Sequence, residues 1–122
     1  MRSALLVALG GAVGALARYG VALVGLRWGG PGVPWGTWAA NALGCLLIGL
    51  ALPLVKAEDA RLAVLVGGLG AFTTFSTYAA DTVLLWEAGR PGLALANAAG
   101  SVVVGVAFVA LGLWAGRQWG AS

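Results

Sequence analysis

Four long apolar stretches run through the chain, separated by three short interruptions rich in glycine, proline or charge. A bilayer core needs about 20 apolar residues in helical form, and each stretch reaches that length. The pattern predicts transmembrane helices over about residues 3–26, 35–55, 61–86 and 91–116. The separators RWGGPGVP, KAEDA and EAGRPG carry the breakers expected between spans. No stretch alternates polar and apolar residues, so the strands of a membrane barrel are not predicted. The first stretch follows Arg2 in the manner of a signal peptide, but its run from Ala4 to Val24 is long and further spans follow it. It is read as a mature helix. Four crossings place both termini on one side.

Composition narrows the class. The chain has 122 residues, enough for one domain, and is 61% hydrophobic with only 9% charged residues and a mean hydropathy of +0.95. Soluble domains carry about 25% charged residues, and one this small could not hide so much apolar surface. The expectation is an all-α integral membrane protein with one four-helix transmembrane domain spanning residues 1–122.

The net charge of +3 comes from scattered basic residues with no patch or run, so nucleic-acid binding is not supported. Cys45 is the only cysteine and histidine is absent, which excludes an intramolecular disulfide and makes an ordinary zinc site implausible. Trp28, Trp35, Trp86, Trp114 and Trp119 fall near span ends, with Trp38 one turn in, as in an interfacial aromatic belt. Small residues four apart recur at Gly10/Gly14, Gly36/Ala40, Ser101/Gly105 and Gly112/Gly116, favouring close helix packing.

Charge barely orients the chain. The side with both termini would hold Arg2, Lys56, Arg61 and Arg117, and the other Arg18, Arg27 and Arg90. So small a difference lets a chain insert either way round. Two copies in opposite orientations could then pair about an axis in the membrane plane, and the thinness of a four-helix bundle favours such a dimer.

Polar groups inside a span are expensive, so each calls for a partner or a function. Arg18, in GGAVGALARYG, is either an interfacial anchor or an anion-attracting entrance. Thr37 and Asn41 share one helix face, and Asn41 could bond another helix or donate to a dehydrating anion. The third span holds GGLGAFTTFSTYAAD, where Gly67, Gly68 and Gly70 weaken the helix and five hydroxyl-bearing residues and three aromatics occupy Phe72 to Tyr78. A helix break over Gly67 to Thr73 is expected, with carbonyls suited to a small hard cation such as Na⁺. Phe75 and Tyr78 project from one side, and ring edges are electropositive enough to touch an anion. Asn97 and Ser101 could extend a polar stripe beside Asn41 and Thr77. Weak neutral donors replace an anion's hydration and still let it leave.

The motifs GGAVGALARYG, GTWAANALGCLLIG and GGLGAFTTFSTYAAD resemble those of the CrcB/Fluc fluoride ion channels over essentially the full chain. The resemblance implies a passive, fluoride-selective channel, not an enzyme, built as a dual-topology antiparallel homodimer in a bacterial plasma (inner) membrane. It implies a structural Na⁺ at the dimer centre, held by the carbonyls of Gly70 and Thr73. Fluoride-path positions carry over to Asn41, Phe75, Thr77, Tyr78 and Ser101, with Thr37 nearby and Arg18 at the vestibule. Departures are Tyr78 in place of a second phenylalanine, Asp81 in place of glutamate, Asn97 where tyrosine is frequent and Gly105 where serine is frequent.

Two other classes fit four apolar helices. A small dual-topology proton-coupled transporter would need a titrating carboxylate inside the membrane, and Asp81 is the candidate. A non-transporting assembly subunit would carry no ion flux for Phe75→Ile or Asn41→Asp to change.

Overall fold

The first and third polar connections close as turns whose backbone demands explain their residues, while in the second Val55 and Ala57 are extended. Helix α1 (Arg2–Gly29) stops at Gly30, whose φ of 72° lies in the left-handed region and whose N–H returns to Leu26 O. Helix α2 (Trp35–Leu54) starts behind Pro34. The third span is in two pieces, α3 (residues 58–72) and α4 (Phe75–Glu87). At the end of α4, Gly89 takes a φ of 71° while its N–H and that of Arg90 bond Trp86 O and Leu85 O. Pro91 then opens α5 (Pro91–Gly120) at the position where its missing N–H costs nothing.

These ranges come from a computed structural model of the chain, which describes residues 1–120. It is all-helical, with four helices long and apolar enough to cross a membrane and the third of them bent. The third span begins at Glu58, earlier than the hydropathy pattern suggests. Glu58 and Asp59 form its first turn, where the positive end of the helix dipole favours carboxylates. Asp59 also pairs with Arg2, which sets the start of α1 beside the α2–α3 connection. At the other end of the bundle the Arg90 guanidinium donates to Gly32 O, tying the two remaining connections together.

Small residues set how closely the helices approach. In the α1–α3 seam, Gly10 and Gly14 lie against the main chain of Ala63, Gly67 and Gly68. A β-carbon on Gly67 would meet Val7 O at 2.5 Å, inside any real contact. In the α2–α5 seam, Gly49 faces Gly112, and Gly116 fits against Leu50 and Pro53. Lipid tails are as apolar as leucine, so this backbone proximity, with its dispersion contacts, holds the bundle in place of a hydrophobic drive.

Two stretches widen from the ordinary helix to an i→i+5 pattern, Arg61–Leu69 and Ala96–Gly100. The first contains Gly67 and Gly68, two of the three glycines expected to break the third span. They do not break it. They are spent on the close approach to α1, and Gly70–Phe72 returns to an ordinary helical turn. The break falls after them, at Thr73 (φ −82°, ψ 157°) and Thr74 (φ −147°, ψ 115°), both extended.

Candidate functional site

What opens the third span is a side chain from α2. In a continuous helix the Thr74 N–H would bond Gly70 O. Instead it donates to Asn41 Oδ1 at 2.8 Å, while Asn41 Nδ2 donates to Thr74 O at 3.1 Å. The orientation of the amide is forced, because an N–H can only donate and a carbonyl can only accept. Thr74 is only 8% exposed, so its main chain has little access to solvent and leans on this brace.

Thr74 then restarts the helix. Its Oγ1 accepts the Thr77 N–H at 3.2 Å, the standard N-cap arrangement, and donates to Thr77 Oγ1 at 3.0 Å. That cap uses the amide which would otherwise serve Thr73 O. Gly70 and Thr73 thus both lose their i+4 amides to side-chain oxygens, one to Asn41 and one to Thr74. Gly70 is exposed and Thr73 half-buried. Two released carbonyls one turn apart are the donor type a small hard cation takes. No cluster of three or more Asp, Glu, Cys or His occurs among the described residues, so carbonyl oxygen is the chemistry on offer.

The predicted site residues fall into two groups on either side of the brace. Asn41, Phe75, Tyr78 and Ser101 line one open groove, together with Gly70, Thr73, Thr74 and Cys45. Phe75 is 79% exposed, and its ring lies 5.4 Å from that of Tyr78, tilted by 41°. Arg18, Thr37 and Thr77 line a separate pocket of 250 Å³ between α1 and α2, which Thr74 also borders. That volume holds several waters at about 30 Å³ each. The Thr37 hydroxyl is committed to Asp81, donating to its Oδ2 at 2.7 Å.

The Tyr78 hydroxyl donates to Ala98 O at 2.8 Å, within the wide turn of α5. Asn97, beside it, is fully buried with 0% exposure. Its Nδ2 donates to Tyr78 O at 3.1 Å and to Thr82 Oγ1 at 2.8 Å, and its Oδ1 accepts from Trp38 Nε1 at 2.5 Å and Ser101 Oγ at 3.3 Å. Asn97 therefore sits under the groove wall as a saturated hub. Trp38 is a partner of this hub, where its place one turn in from Trp35 suggested a belt residue. Thr82, four residues after Tyr78, also belongs to it and stands out by nothing in the sequence except that spacing.

A family model described as CrcB-like protein, Camphor Resistance (CrcB), matches residues 5–113. A fluoride-specific ion channel FluC from Salinibacter ruber is 47% identical over 117 residues, covering 92% of this chain and 87% of that one. The proteins of the same name from Paracoccus denitrificans and Thermus thermophilus are 48% and 46% identical, over 91% and 92% of this chain and 91% and 93% of theirs. The chain belongs to the CrcB family and is a multi-pass membrane protein.

Proposed function

We propose that this chain forms a fluoride-selective ion channel, as the names of its relatives indicate, and that the braced break in the third span carries the activity. The observation behind the reading is the Asn41–Thr74 pair, which opens the helix beside a groove of neutral donors and aromatic rings. Asn41 Nδ2 uses one hydrogen on Thr74 O and keeps the other for the groove. Ser101 adds a hydroxyl, and Phe75 and Tyr78 add ring edges. Thr77, Thr37 and Arg18 form the entrance side, where the guanidinium raises local anion concentration without sitting in the narrow path.

Transport is passive. Fluoride crosses membranes inward as neutral HF and ionises in a neutral cytoplasm, so it accumulates unless an anion path exists. An inside-negative potential drives the ion out with about 2.3 kcal/mol per charge at 100 mV. The protein is a channel, not an enzyme.

The working unit is an antiparallel homodimer. A single chain leaves an exposed Gly70, the released carbonyls of Gly70 and half-buried Thr73, and an exposed Phe75 on its flank. Backbone of this kind is tolerated at membrane depth only when covered by protein or lining water. A second copy supplies the cover, and the near-equal division of cationic residues between the two ends permits it to enter inverted. Gly70 and Thr73 O of both copies would hold a structural Na⁺ at the centre, which neutralises facing carbonyl dipoles.

The test is fluoride efflux from liposomes reconstituted with the purified protein, measured beside chloride. Fast fluoride and negligible chloride flux is the expected result. Equal rates for both anions, or none for either, would refute the reading.

A further inference from the structure

Asn97 lies outside the groove lining, yet two residues of the groove are bonded to it or to its neighbour. Its acceptor oxygen receives two donors of unequal quality. The Trp38 indole N–H lies at 2.5 Å and the Ser101 hydroxyl at 3.3 Å. A good hydroxyl bond is about 2.7–2.8 Å long, so the Ser101 proton is held weakly. Because Trp38 already satisfies the oxygen, that proton can leave without exposing an unpaired buried acceptor. On the donor side, Asn97 holds Tyr78 O directly and Thr82, which itself donates to Tyr78 O at 2.9 Å. The Tyr78 hydroxyl is anchored on Ala98 O one residue further along. The ring is therefore pinned at both ends.

We infer that Asn97 is a positioning residue for the anion path, with Trp38 as its co-partner: it releases the Ser101 proton to the groove and fixes the Tyr78 ring as an edge donor. This rests on reading the groove as the fluoride path. Tyr78 then acts on the ion through its ring, not its hydroxyl. Loss of the Trp38 N–H leaves Asn97 Oδ1 to Ser101 alone, which turns the serine proton inward and takes a donor from the path.

The experiment compares fluoride and chloride flux in proteoliposomes for the parent, Trp38→Phe, Ser101→Ala and the double variant. Trp38→Phe keeps an aromatic ring and loses the donor. It is expected to lower fluoride flux roughly three- to tenfold, the worth of one hydrogen bond, and to lower the fluoride-to-chloride ratio. In the Ser101→Ala background it is expected to have no further effect, since no proton remains to withdraw. Losses that multiply in the double variant, or a Trp38→Phe protein with parental flux and ratio, overturn the inference. Thr82→Val tests the other arm and is expected to reduce the ratio, with Thr82→Ser restoring it. An unchanged ratio in Thr82→Val overturns the Tyr78 part. A parent without fluoride flux overturns the functional reading itself, which separates the two failures.

Discussion

Replacing Asn41 with leucine removes the amide that holds the third span open and keeps the same branched outline, with two methyl groups in place of the oxygen and NH2. Thr74 then has an N–H and a C=O without their partners at a site that is 8% exposed. Leaving a buried donor or acceptor unmade costs about 1–3 kcal/mol each. Part of that is recovered if the Thr74 N–H returns to Gly70 O and the helix closes over residues 70–78. The net bias toward the closed form is about 2–4 kcal/mol, or roughly 30- to 1,000-fold in the equilibrium. Initial fluoride efflux from proteoliposomes should fall by at least about 30-fold if conduction needs the open form. Thr74→Ala is the contrast, because it spares the main-chain brace and removes the cap on Thr77 with the hydroxyl contacts to Thr77 and Ser76. A lost N-cap costs about 1 kcal/mol, so flux should fall far less. Thermal unfolding in detergent should rank the two variants in the same order. An Asn41→Leu protein that conducts like the parent, or a Thr74→Ala protein that fails more severely, would refute the brace.

Four further outcomes are expected. Gly14→Ala places a β-carbon into Gly68 O, and overpacking costs about 1–3 kcal/mol or more, so its melting temperature should drop while solvent-exposed Gly92→Ala stays near the parent. Phe75→Ile should cut fluoride flux severely with little change in folded protein recovered, because the ring is exposed in the single chain and supports no core. Asp81→Asn should leave efflux independent of a proton gradient, as in the parent; gradient-driven flux abolished by this change would favour the transporter alternative. Purification with a bulky organic cation in place of Na⁺ should shift the size-exclusion profile from dimer to monomer, and adding Na⁺ back should restore it.

Hydropathy reveals the four spans because a membrane demands long uninterrupted apolar helices, and little else fits so few charges. The break was harder to place. Gly67, Gly68 and Gly70 carry the lowest helix propensity in the span, yet the helix persists through them; for Gly67 and Gly68, packing against Gly10 and Gly14 offsets a cost of about 1 kcal/mol per glycine. The true opening depends on Asn41, 33 residues away in the sequence, and no local pattern in the third span encodes it. The same holds for Asn97, whose four partners come from α2, α4 and its own helix. Residue type announced that these polar groups mattered. Only the packing reveals which of them are already spoken for.

That distinction bears on selectivity. Most hydroxyl protons near the break are committed: Thr37 to Asp81, Thr73 to Leu69 O, Thr74 to Thr77, Tyr78 to Ala98 O and Thr82 to Tyr78 O. What is left facing the groove is one N–H of Asn41, the loosely held proton of Ser101 and two ring edges. On the proposed reading of this groove as the anion path, so sparse a set neither rehydrates an ion fully nor traps one. It favours the anion that gains most from each short hydrogen bond, which is the smallest and hardest halide. Chloride has a larger radius and a weaker pull on donors, so it gains less from the same few groups. On the same reading, the hydrogen bonds that remove donors from the proposed path also tie α2, α4 and α5 together beside it.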